Sequence, residues 1–215
     1  CVVGMLPFLV SGYEPRVAAA FLETMSGFST TGSTVLNNID RLPHSILFWR
    51  SLTHWFGGMG IVFFTIAILP TMGTGDLKLF SAEASGLKLD KLHPRISTTA
   101  RWILGVYLAL TLLCTAAYHL GGMTPFDAVN HAFSTVATGG FSTHQASFAY
   151  FNSPRLELIA SFFMILSGIN FSLLYLLIIK RKAKKVFRDG EVRYFLTIAL
   201  SATLIIAALL FFKKH

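Results

Sequence analysis

Two short stretches of this sequence hold the oxygen-rich, side-chain-poor residues that a dehydrating cation needs. One is Thr30-Thr31-Gly32 within 28–34, and the other is Ala137-Thr138-Gly139 within 135–141. A cation leaving water must find oxygen ligands to replace its hydration shell. Backbone carbonyls supply them without a fixed charge that would hold the ion too tightly. Gly32 and Gly139 allow backbone angles closed to other residues and place no side chain in the way. Ala137 offers a carbonyl, and Thr30, Thr31 and Thr138 offer carbonyl or hydroxyl oxygens. Taken alone, each Thr/Gly stretch reads as an ordinary turn, so the surroundings must decide.

Those surroundings repeat. With Gly32 laid over Gly139, each loop follows a fairly apolar segment, 17–28 and 125–135, about half the length a membrane-crossing helix needs. The second segment carries a start signal: Thr124 as N-cap, Pro125 at the first helical position and Asp127 placed to reach back as in a capping box. Beyond each loop a proline opens a long apolar stretch containing a glycine fourteen residues later, Pro43 to Gly57 and Pro154 to Gly168. A half-helix ending at a loop aims its partial negative charge there, which favours cations. Irregular backbone is tolerated at membrane depth only where it lines a cavity. The repeated plan of span, half-helix, loop and span is therefore that of a pore.

Composition places these elements in lipid. The 215 residues are 53% hydrophobic and 13% charged, with a mean hydropathy of +0.62; a soluble domain carries about twice that charge. Spans are expected at 45–69, 102–120, 156–179 and 194–212, and the short apolar stretch 1–12 reads as the tail of a further helix. The net charge of +8 does not point to nucleic acid, because the basic residues cluster in two connections. Lys78, Lys88, Lys91, Arg95 and Arg101 lie in one, and Lys180, Arg181, Lys182, Lys184, Lys185, Arg188 and Arg193 in the other. The positive-inside rule turns both toward the cytoplasm and the polar loops outward.

The expected organisation is a first repeat over 1–70, with a truncated outer span, half-helix and filter loop at 17–34 and inner span at 45–69. A link at 71–101 leads to a second repeat over 102–180, with spans 102–120 and 156–179 around a half-helix and loop at 124–143. A basic link at 181–193 and the first span of a third repeat at 194–215 follow. The fold class is an all-α membrane protein with an incomplete set of pore repeats.

Other polar residues have plainer readings. Glu23 either raises the local cation concentration, lining the pore, or is a buried carboxylate with a partner. Arg50, beside Trp49, is expected to snorkel to the headgroups. Asn170 is expected to face protein or cavity and is the second pore-lining candidate; the glycosylation pattern it opens lies within the bilayer. Gly57, Gly58 and Gly60 suit close packing or bending. Cys1 and Cys114 fall in apolar helices, and the seven histidines show no metal-ligand spacing. No nucleophile–base pair or nucleotide loop is present, since Met72-Gly73-Thr74-Gly75 lacks a following Lys-Ser/Thr. An enzyme is not expected.

These residues resemble the Trk/Ktr/HKT superfamily of potassium transporters, most closely bacterial Trk-type potassium uptake proteins. The likeness rests on Met25-Ser26-Gly27-Phe28-Ser29-Thr30-Thr31-Gly32, Trp55-Phe56-Gly57-Gly58-Met59-Gly60-Ile61, the stretch from His131 to Thr143, and Ser167-Gly168-Ile169-Asn170-Phe171. The resemblance implies a potassium-channel-like pore of four repeats with one filter glycine each, of which Gly32 and Gly139 would be the first two. Glycine at the first position resembles the potassium-selective version. It further implies potassium as the transported ligand with no cofactor, a multi-pass protein of the bacterial inner membrane, a homodimer, and a cytoplasmic nucleotide-binding, TrkA-like regulatory subunit. Against a four-repeat plan the sequence holds about half the pore. The competing reading is a non-conducting membrane scaffold or assembly fragment that keeps the fold.

Overall fold

The computed structural model describes residues 1–68, 96–178 and 183–214. The link residues 69–95, including Lys78, Lys88, Lys91, Arg95 and the turn at 72–75, lie outside the described residues, as do Lys180, Arg181 and Lys182. The described residues are helical and contain no strand. The chain divides into two compact units, Cys1–Ser167 and Gly168–His215.

In the first unit, α1 (Leu6–Val10) leads into the half-helix α2 (Val17–Phe28), and α3 (His44–Ile68) follows the first polar loop. The 25 residues of α3 reach about 37 Å, enough to cross a bilayer. Next come α4 (Ile96–Leu120), the second half-helix α5 (Pro125–Val136) and α6 (Pro154–Ser167). Residues 96–101, expected in the link, are thus the first turns of α4. The stretch Trp102–Leu120 is long and apolar enough to span.

Both half-helices pack against α3, and α5 also packs along α4. Phe8, Ala20, Leu36 and Ile46 form one core, closed by Met5, Leu9, Leu42 and Trp49. Trp49 donates its indole N–H to the Gly4 carbonyl at 2.9 Å, so it joins α3 to the chain start. Around α4 and α5, Tyr107, Leu110, Cys114, Tyr118, Ala128, Ala132 and Val136 are buried. Two adjacent glycines let α3 approach both half-helix ends. A Cβ on Gly57 would strike the Phe28 carbonyl, and one on Gly58 would sit 2.8 Å from the Tyr107 hydroxyl and 3.0 Å from the Ala137 Cβ.

In the second unit, α7 (Phe171–Ile178), α8 (Ala183–Phe187) and α9 (Gly190–Lys214) share a small core of Leu173, Val186 and Val192. The single span expected at 156–179 is interrupted: α6 stops at Ser167, and α7 begins at Phe171. Glycine is a poor helix former, and Asn170 is a favoured opening residue whose carbonyl accepts from Leu173 and Leu174 at 2.9 and 3.0 Å. The stretch Gly190–Phe211 has the strongest spanning character, and none of its most apolar window is buried.

Candidate functional site: two touching polar loops

Each half-helix ends in the same backbone figure. After α2, Thr30 N–H bonds the Gly27 carbonyl at 3.0 Å and Thr31 N–H reaches back to Ser26 at 2.9 Å. After α5, Thr138 N–H bonds Thr135 at 3.0 Å and Gly139 N–H reaches Ser134 at 2.8 Å. This is the Schellman termination, whose left-handed residue is usually glycine. Here it is threonine both times, with φ of 53° at Thr30 and at Thr138. A β-branched residue in that region is an outlier costing about 1–2 kcal/mol.

The shared figure corrects the register read from sequence. Thr30 matches Thr138, Thr31 matches Gly139, and Gly32 (φ 76°) matches Gly140 (φ 99°), two residues beyond the threonine in each loop. Laying Gly32 over Gly139 was off by one, because the paired glycines of the second loop offer two equivalent-looking anchors in sequence.

The loops touch. A Cβ on Gly32 would run into the carbonyl oxygen of Gly139, and a Cβ on Gly139 would run into the His54 ring. Thr31 and Thr138 are exposed, Thr30 and Gly32 half-buried, and Ala137 and Gly139 buried. Among the described residues no donor reaches the carbonyls of 30–32 or 138–140. The carbonyl of Ala137 differs, since the Thr138 hydroxyl donates to it at 2.8 Å.

The first loop is fixed by a buried ion pair. Arg50 and Glu23 are each 1% exposed, with Arg50 Nε 2.8 Å from Glu23 Oε1. Glu23 also accepts from the Thr34 hydroxyl at 2.9 and 3.0 Å and from Val35 N–H at 3.1 Å. Arg50 therefore does not snorkel to the headgroups as expected. A buried carboxylate must be paired, and pairing with the guanidinium outweighs the reach of that side chain toward water. Glu23 follows the second of its two readings.

The second loop is held mainly by uncharged groups, with the Asp127 carboxylate and the Arg50 guanidinium at its far end. Ser134 Oγ accepts from Gly140 N–H at 2.9 Å and pairs with His54 Nδ1 at 3.1 Å. His54 stacks on Phe141 with centroids 4.0 Å apart. His131 Nδ1 lies 2.9 Å from the Asp127 carbonyl, which can only accept, so that nitrogen carries the proton. Its Nε2 then accepts from Ser142 Oγ at 3.0 Å. Thr124 caps α5 by accepting from Asp127 N–H at 3.1 Å. The Asp127 carboxylate accepts from the Thr124 and Thr143 hydroxyls at 2.7 and 2.6 Å. It does not reach the Thr124 N–H as a capping box would, being one methylene shorter than glutamate.

Farther out, His144 Nδ1 lies 2.9 Å from Asp40 Oδ1, and that hydrogen bond holds the Asp40 carboxylate below its usual range. Asn170 belongs to the second unit. Sequence reading passed over Thr34, His54, Ser134, Ser142 and Thr143 as scaffold. The recoverable signal was Arg50, a charge inside an apolar span that needed a partner.

The TrkH family model, described as a cation transport protein, matches residues 2–212. The chain is 44% identical over 214 residues to the Trk system potassium uptake protein TrkH of Salmonella typhimurium, covering 99% of this chain and 44% of that protein. It is 42% identical over 187 residues to the Trk system potassium uptake protein TrkG of Escherichia coli, covering 86% of this chain and 39% of the relative. Among solved structures it is similar to the crystal structure of the potassium transporter TrkH from Vibrio parahaemolyticus, with a TM-score of 0.82 and 40% identity over 95% of this chain and 41% of the other. The chain thus spans less than half the length of these relatives.

Proposed function

This chain belongs to the TrkH family of cation transport proteins, membrane transporters rather than enzymes, and from that premise we propose that it builds two loops of a filter for potassium uptake. The observation that carries the reading is the meeting of two loops whose carbonyls at 30–32 and 138–140 receive no donor among the described residues. Unpaired backbone acceptors at membrane depth are costly unless a cation takes the donors' place. Both half-helices also end at these loops, adding partial negative charge.

The filter positions are Thr30, Thr31 and Gly32 in one loop and Ala137, Thr138 and Gly139 in the other, with Gly140 as the backbone counterpart of Gly32. The protein sits in the bacterial inner membrane with these loops outward and the basic links at 71–101 and 181–193 cytoplasmic. Uptake draws on the membrane potential, worth about 2.3 kcal/mol per charge at 100 mV. The full-length protein works as a homodimer, with a nucleotide-binding regulatory subunit against the basic links.

The test is rubidium uptake in a potassium-transport-deficient bacterium expressing the full-length protein with Gly32→Ala or Gly140→Ala. Both positions have positive φ, and at Gly32 the added methyl also meets the facing carbonyl. Uptake should fall about tenfold or more at unchanged membrane abundance. Normal uptake in Gly32→Ala, where the methyl meets both the positive φ and the facing carbonyl, would leave a non-conducting scaffold as the better reading.

A further inference from the structure

We infer that Arg50 is a positioning residue that holds the two loops at a fixed separation and thereby sets which alkali cation is accepted; the inference rests on the filter reading above. A bare cation beside an ion path would repel the ion it serves. Arg50 is instead neutralised by Glu23 at 2.8 Å, so what its guanidinium contributes is direction rather than charge.

Each edge of the fork reaches a different element. Nε bonds Glu23 on α2, Nη2 reaches the Thr34 hydroxyl at the exit of the first loop at 3.3 Å, and Nη1 donates to the Ser142 carbonyl at the exit of the second at 3.1 Å. The guanidinium carbon also lies 4.3 Å from the centroid of the Phe141 ring in the second loop. Among the described residues no other side chain hydrogen-bonds to both 29–35 and 137–143. The exits are joined through one rigid planar group, a short distance beyond the point where Gly32 meets Gly139. A lysine keeps the charge but lacks the fork. Potassium and sodium differ in radius by a fraction of an ångström, so a small change in loop separation alters the preference between them.

The experiment compares Arg50→Lys, Arg50→Gln, Thr34→Val and Gly32→Ala in the full-length protein, reading rubidium uptake with sodium as competitor, direct sodium uptake, and membrane abundance. The potassium-over-sodium preference should fall about tenfold in the Arg50 variants and about threefold in Thr34→Val, with sodium uptake emerging. A merely structural role would lower abundance and maximal uptake together and leave the preference alone. Thr34→Val removes one hydroxyl and leaves the charge pair in place, so its variant remains decisive if the Arg50 variants fail to reach the membrane. A preference within about twofold of the unmodified protein in Thr34→Val, and in any Arg50 variant that is inserted, overturns the inference. Should Gly32→Ala transport normally, the filter reading itself fails; should Gly32→Ala lose transport while the others keep their preference, only the role of Arg50 fails.

Discussion

The first and second loops share one backbone figure and reach it by different chemistry. The first hangs on a desolvated charge pair, Glu23 with Arg50, and its half-helix has no side-chain cap and leaves Phe21, Leu22 and Met25 exposed. The second hangs on hydroxyls, imidazoles and the Asp127 carboxylate, shares Arg50 at its exit, and lies behind a capped half-helix with eight buried residues. The backbone termination, not any one side-chain set, is what the two halves have in common. The halves should also fail differently, because the first concentrates its contribution in one charge pair while the second spreads it over many contacts.

The largest expected effect breaks that comparison directly. Glu23→Gln leaves a buried guanidinium without its counter-charge, at a cost of about 3–5 kcal/mol. Thermal unfolding of the purified full-length protein should show it far less stable than Ser134→Ala. That second change deprives the buried His54 Nδ1, as well as the Gly140 N–H, of its partner and should cost about 1–3 kcal/mol. Equal losses would mean that the two loops are not held differently after all.

Next comes Thr124→Ala, which removes the side-chain cap of α5 at about 1 kcal/mol, a contribution that the start of α2 lacks. The two threonines sharpen the comparison from the other side. Thr30→Gly and Thr138→Gly each relieve a left-handed threonine and should raise stability by about 1 kcal/mol, the gain at Thr138 being reduced by loss of its bond to the Ala137 carbonyl, while impairing uptake. A stability gain in one loop only would break the equivalence of the two figures.

The smallest effect lies at the rim of the loops. The carboxylate of Asp40 is held below its ordinary range, so its contribution is present at neutral pH and is lost as pH falls through that lowered value. Asp40→Asn should therefore shift the melting temperature slightly at neutral pH and not at all in strong acid. A shift of the same size at both pH values would remove Asp40 from the account.

What sequence reading could see follows from how local each signal is. The half-helix of α5 was visible because Thr124 and Pro125 announce its start within two residues, and the long helices α3, α4 and α9 because their apolar runs extend over many residues. The pairing of Arg50 with Glu23 was not, since the partners lie 27 positions apart and only the crossing of α3 over α2 brings them together. The break between α6 and α7 was missed because hydropathy runs on through Gly168 and Asn170 while helix propensity does not. The register of the loops failed at a doublet, Gly139-Gly140, where residue identity is silent and only the sign of φ decides.

The most direct test of the central claim is anomalous diffraction from crystals of the full-length protein grown with rubidium in place of potassium. A peak is expected between the two loops, within coordination distance of carbonyls from 30–32 and from 138–140 together. A well-ordered filter region with no peak there, or rubidium bound only elsewhere, would contradict it.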